Sequence, residues 1–180
     1  PGGRDFLGEV AGEIGALDAR LCQLFTHYDV SSLIAEMSLA DAGAIIRERG
    51  FITLQEPAAG AGGMVLAAAD TLEQLGYDPR SCLWFEATEI NRGTFHMLHV
   101  QTSYRGLAGK NYNGNTLSLE VFSASVTPNA LPFLLQHGDP HARRSGDTSP
   151  PVMAEAAPIP AQPEPGKPPA AAPRQLSLFD

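Results

Sequence analysis

The chain is short of cysteine, of tryptophan and of positive charge. Its two cysteines, Cys22 and Cys82, are too few for a disulfide framework, so buried or idle thiols in a reducing compartment are expected. Lys and Arg number 12 against 20 Asp and Glu, a net charge of -8. Affinity for nucleic acid rests largely on basic side chains that neutralise phosphates, so this charge excludes a strong unaided DNA binder. No apolar run reaches bilayer-spanning length and no signal peptide is visible, which predicts a cytoplasmic protein. The single tryptophan, Trp84, stands in an apolar run and reads as core. His96 and His99 lack further ligands at metal-binding spacing. They read as ordinary helix residues, one buried and one at a rim, and no metal is expected. No serine sits in a nucleophile elbow, so hydrolase chemistry is not expected.

What is present is unevenly spread. The 180 residues suffice for one domain with a sizeable core. Nearly all large apolar residues precede His137, and ten of the fifteen prolines fall between Asp139 and Arg174. A stretch so poor in large apolar groups cannot offset its ordering entropy, so residues 138–174 read as a disordered tether. Apolar character returns at residues 175–180.

Before the tether, helix and strand patterns alternate. Phe6, Val10, Ile14, Leu17 and Leu21 fall at helical spacing. A second helix is predicted from Asp29, as N-cap, to Arg49, with Gly50 as its stop. Val30, Leu33, Ile34, Met37, Ala44 and Ile45 form its apolar stripe. Residues 1–50 therefore read as an N-terminal helical segment, and residues 51–137 as the α/β core. In that core, strands are predicted at Phe51–Gln55, Leu83–Thr88 and Gly109–Tyr112. Helices are predicted at Met64–Leu75 and Asn91–Tyr104. This order implies right-handed crossovers onto a parallel, Rossmann-like sheet. Residues 120–126 fit either a fourth strand or a short helix.

The most informative cluster is Glu56-Pro57-Ala58-Ala59-Gly60-Ala61-Gly62-Gly63, set between a strand and a helix. Glycines there permit a tight turn and close approach of a ligand to the backbone. The helix that follows presents unpaired N–H groups and a positive dipole end. Glu89 comes at the end of the next strand, where a carboxylate can hold ribose hydroxyls. Spacing alone leaves an ordinary glycine-rich turn and a surface glutamate as the alternative.

Extended to Met64, this cluster resembles the cofactor loop of the adenine-N6 DNA methyltransferases, whose pattern is Asp-Pro-Ala-Cys-Gly-x-Gly-Gly-Met. Glu stands here for Asp, and Ala for Cys. Thr88-Glu89-Ile90-Asn91 resembles the family's second motif, which implies that Glu89 grips the ribose and Ile90 packs on the adenine. Gly114-Asn115-Thr116-Leu117 resembles the third, normally Gly-Asp-x-Leu, implying that Asn115 accepts from the adenine amino group. Asp5–Gly8 and Cys22–Val30 resemble the segment preceding the loop, which implies Phe25 and Thr26 near the methionine end of the cofactor. The resemblance covers about residues 5 to 118. It implies S-adenosylmethionine as cofactor, a partial class I methyltransferase fold, and Phe25, Thr26, Glu56, Ala58, Gly60, Gly62, Gly63, Glu89, Ile90, Asn115 and Leu117 as its binding residues.

The same family methylates through Asn or Asp followed by Pro-Pro and an aromatic residue. No such sequence occurs here. Thr127-Pro128-Asn129 and Leu131-Pro132-Phe133 are the nearest approaches and read as turn and loop, so no catalytic residue is assigned. Nor is there room for a target-recognition domain, which implies DNA reached through a partner, and a separate specificity or catalytic subunit. Finally, Gln175-Leu176-Ser177-Leu178-Phe179 resembles the pentapeptide by which bacterial replication and repair proteins bind the sliding clamp. That resemblance implies the clamp as a partner in a bacterial, phage or plasmid setting. A non-catalytic adaptor for the clamp is the alternative to a DNA-modifying enzyme.

Overall fold

Gly50, Gly76 and Gly106 take φ of 85°, 85° and 73°, a region open to a residue without Cβ, and each ends a helix there. The computed structural model describes residues 5–13 and 26–142. Helices α1 (Phe6–Glu13), α2 (Tyr28–Ser38) and α3 (Ala42–Arg49) precede strand β1 (Ile52–Glu56). Helix α4 (Gly63–Gln74) and the short α5 (Pro79–Cys82) lead to β2 (Leu83–Glu89). Helix α6 (Arg92–Tyr104) leads to β3 (Ala108–Asn115), followed by β4 (Glu120–Val126) and α7 (Ala130–His137).

The sheet runs β1-β2-β3-β4, with β1, β2 and β3 parallel. Residues 120–126 form a strand, and it lies antiparallel to β3. The three strands predicted as a parallel sheet are parallel, and the segment left open between strand and helix adds an antiparallel edge. Residues 116–119 are too short a link for a crossover, so the chain must return antiparallel.

The two faces of β2 are packed differently, because side chains alternate across a strand. Leu83, Phe85 and Ala87 point into the main core, with Val65 and Leu72 of α4 and Leu98 of α6. Trp84 points the other way, into a smaller cluster with Phe51, Ala108, Ala130 and Phe133. Its ring lies 5.5 Å from that of Phe133, so it is core, as expected. Both α4 and α6 cover the first face. The second face is covered by α7 around Trp84, and an open cleft of about 390 Å³ lies on it between Gln55, Glu86, Thr88 and Tyr112.

Several expectations change. The predicted helix from Asp29 to Arg49 is two helices, α2 and α3, broken at Leu39–Asp41. The break lets Ala42 and Ile46 drop into the main core while α2 stays against α4. His27, not Asp29, is the N-cap of α2. The predicted apolar stripe is not the buried face. Ser31 and Ala35 are buried, whereas Val30, Leu33, Ile34, Met37 and Ile45 are exposed. Small residues win this contact because they let α2 approach Ala67 and Ala68 of α4 closely. In α1, Gly8 and Ala11 are buried and Phe6 is 65% exposed; Ile14, Leu17 and Leu21 lie outside the described residues. Leu131–Phe133, expected as loop, lie in α7, whose first turn tolerates Pro132. His96 is exposed and His99 half-buried, so neither is the buried histidine expected.

Two ionisable groups are locked by this packing. Burial pushes the Cys82 thiol up to about 11, with Asp78 adding to the effect, so it is an inert thiol. Tyr28 of α2 donates to Asp70 of α4 (2.5 Å), and Arg105 pairs with both Asp70 and Glu73 (2.7 Å each). Burial, then the bond to Asp70, pushes the Tyr28 hydroxyl well above its ordinary value, so it stays a donor.

Candidate functional site

Residues 57–62 must turn from the end of β1 into α4, and the turn is tied down from several directions. Ala59 N–H donates to Thr88 O of β2 (2.9 Å), and Gly62 N–H to Ala59 O (2.9 Å). Thr116 donates from its hydroxyl to Pro57 O (2.6 Å). Gly60 and Gly62 carry φ of 56° and 110°. A Cβ on Gly62 would also meet Leu98 Cδ1 at 3.0 Å, so this glycine serves the packing of the turn on α6.

Glu89 reaches the same turn from β2. Its carboxylate is buried and accepts from Gly60 N–H (3.0 Å) and from Asn91 N–H (2.7 Å). Asn113 of β3, itself buried, donates to Glu89 O (2.9 Å) and Ile90 O (3.0 Å) and so fixes the strand end that aims Glu89. Glu56 accepts from Ala58 N–H (3.0 Å) at the turn's start.

A third carboxylate was not singled out from the sequence. Asp5 is buried, and its Oδ1 accepts from Gln101 Nε2 (2.7 Å) and Gly8 N–H (2.9 Å). Gln101 donates as well to Ala61 O (2.8 Å), joining α6, the turn and Asp5. Oδ2 of Asp5 lies 3.0 Å from where a Cβ would stand on Gly63, the first residue of α4. A carboxylate thus already occupies the positive end of α4.

These groups frame a small cleft of about 100 Å³ at the carboxyl end of β1. Of the residues predicted to hold a cofactor, Thr26, Glu56, Ala58, Gly60 and Gly63 line it. Asp5, Ser31, Ala59, Ala61 and Met64 line it too, and the sequence alone had not assigned them. Glu89 adjoins it through Gly60. Ile90, 43% exposed, and Leu117, 97% exposed, are at the surface and not in the lining. Asn115 Oδ1 is engaged locally, accepting from Leu117 N–H (2.9 Å). Phe25 and Gln175, Leu176, Ser177, Leu178 and Phe179 lie outside the described residues.

The nearest approaches to a catalytic sequence stand elsewhere. Thr127 Oγ1 accepts from Gly109 N–H (3.0 Å) near the start of β3, and Asn129 donates to Arg80 O (2.7 Å) and Gly106 O (2.9 Å). Both serve the end of the sheet opposite the cleft. Among the described residues no group of His, Cys, Asp and Glu could hold a metal ion, and no helix is long and apolar enough to cross a membrane. Comparison of the chain with protein-family models, curated proteins and solved structures finds no match.

Proposed function

We propose that the cleft binds S-adenosylmethionine and that the chain is the cofactor-binding part of an adenine-N6 DNA methyltransferase-like protein. The single observation that carries this reading is the Glu89 carboxylate seated on the Gly60 N–H at the ends of two adjacent parallel strands. Open α/β sheets bind nucleosides at that end, with an acidic side chain on the sugar. The cleft's charge supports a cationic ligand. Asp5 and Glu56 line it, and Asp5 stands where a phosphate would need the start of α4. A dinucleotide or nucleoside triphosphate would meet that fixed negative charge, whereas a sulfonium and an ammonium group would be attracted. On this reading Glu89 holds the ribose, Glu56 faces the cationic end, and the Gly60–Gly63 backbone approaches the ligand closely. The bound cofactor would supply a transferable methyl group.

Isothermal titration is expected to give saturable binding with S-adenosylmethionine and none with ATP or NAD at equal concentration. Preference for either phosphate-bearing ligand would reverse the reading.

The missing Asn/Asp-Pro-Pro-aromatic sequence favours a second reading, a clamp-directed adaptor without methyl transfer. The terminal Gln175–Phe179 peptide fits both readings, since tethering to a clamp raises local concentration on DNA without a basic surface. Removal of residues 175–180 is expected to abolish binding to a purified bacterial sliding clamp in surface plasmon resonance. Undiminished binding would refute the peptide's role. Transfer of labelled methyl groups to adenine-containing DNA separates enzyme from adaptor.

A further inference from the structure

Helix α2 carries two faces of different kinds. Its buried face is small, Ser31 and Ala35, with Ala35 against Ala67 and Ala68 of α4. On the opposite side Val30, Leu33, Ile34 and Met37 are 47%, 57%, 42% and 73% exposed. Their positions, i, i+3, i+4 and i+7, make one continuous seam on a helix that turns about 100° per residue. Four large apolar side chains in register, each more than 40% exposed, are unlike scattered surface hydrophobes, which need no partner. Ile45 of α3, 41% exposed, adds to the apolar surface on these helices.

The sheet is also unclosed on this side. Leu54 of β1 packs with Ala35, Ala67 and Ala68, so α2 flanks α4 on the β1 side. Strand β1 is the sheet's outer strand there, and no Lys or Pro guards its Ile-Thr-Leu-Gln-Glu sequence.

Charge selects the occupant. The only charged residues of α2 are Asp29 and Glu36, seven apart and hence on one flank of the seam. A second copy of this chain would bring another -8 of net charge and the same acidic flank to the contact. A helix with an apolar seam and a basic flank meets both features. We propose that the exposed stripe of α2 is the docking face for a basic amphipathic helix of a different polypeptide. Nothing in this proposal depends on what the cleft binds. Its partner would bring the basic charge that this chain lacks.

The test uses the full chain and two fluorescein-labelled synthetic helices with the same leucine seam, one flanked by lysines and one by glutamates. Anisotropy is expected to show saturable binding of the lysine peptide, at least roughly tenfold tighter than the glutamate peptide, a difference of about 1.4 kcal/mol. The double variant Leu33→Lys, Met37→Lys should lose it while keeping the parent's circular dichroism and urea midpoint, because both side chains are exposed. Sedimentation should show a monomer without peptide. Self-association abolished by the double variant would overturn the proposal in favour of a second copy. Equal binding of both peptides, or of neither, would overturn it too.

Discussion

Replacing Gly109 with Val is expected to unfold the domain or cost it ~3 kcal/mol or more, as forced overpacking against backbone does. A Cβ at this position would stand 2.2 Å from the carbonyl oxygen of Phe85, on the neighbouring strand. Phe85 stands opposite Gly109 in the β2–β3 register and is fully buried in the main core. Neither can withdraw without opening the sheet at its centre. Gly109 also exchanges bonds with Thr127, which anchors the segment entering α7. The strain would thus reach both faces. Urea denaturation checks the effect through the midpoint at constant slope. Gly12→Ala in α1 is the control. A Cβ there meets nothing within 4 Å, and the change should be neutral or gain up to about 1 kcal/mol from helix propensity. A Gly109→Val protein with an unshifted midpoint would refute the close approach of β2 and β3.

Glu89→Gln is expected to reduce affinity for S-adenosylmethionine by roughly a hundredfold, the scale of a lost charged hydrogen-bonding partner. Both carboxylate oxygens face donors, Gly60 N–H and Asn91 N–H. An amide can offer an oxygen to only one of them, so its NH2 must confront the other N–H. The fold should lose about 1–3 kcal/mol for that buried mismatch. Glu89→Asp keeps the charge but shortens the arm, and should keep stability better than it keeps the ligand. Titration calorimetry with each variant, beside its urea midpoint, separates the two effects. Unchanged affinity in a folded Glu89→Gln protein would remove Glu89 from the sugar and with it the main support for the proposed ligand.

The frame of β1, α4, β2 and α6 was legible because strong local signals agree. Gly76 and Gly106 stop helices, Leu83–Thr88 is a buried run, and Glu89 falls at a strand end. Local signals misled where packing preferred small residues. Val30, Leu33, Ile34 and Met37 have the periodicity of a core face, yet Ser31 and Ala35 are the buried positions and Ala35 packs on the alanines of α4. Pro132 disguised α7, since proline breaks helix interiors but is tolerated in a first turn. The two-residue spacing of Glu89 and Asn91 and the loop ending in Gly63 lay in the written order of the chain. The meeting of Asp5, Gln101 and Ala61 did not, because long-range contacts leave no periodic trace.

The bond between Asp5 and Gln101 joins residues 96 positions apart. A contact across so long a stretch of chain holds only while the elements between keep its two ends together. The turn that opens α1 is therefore a keystone of the cleft, gripping it from the far side through Gln101. Loss of Asp5 would release Gln101, and with it one tie on Ala61 that shapes the cleft, so the far end of the chain governs a turn it never meets in sequence.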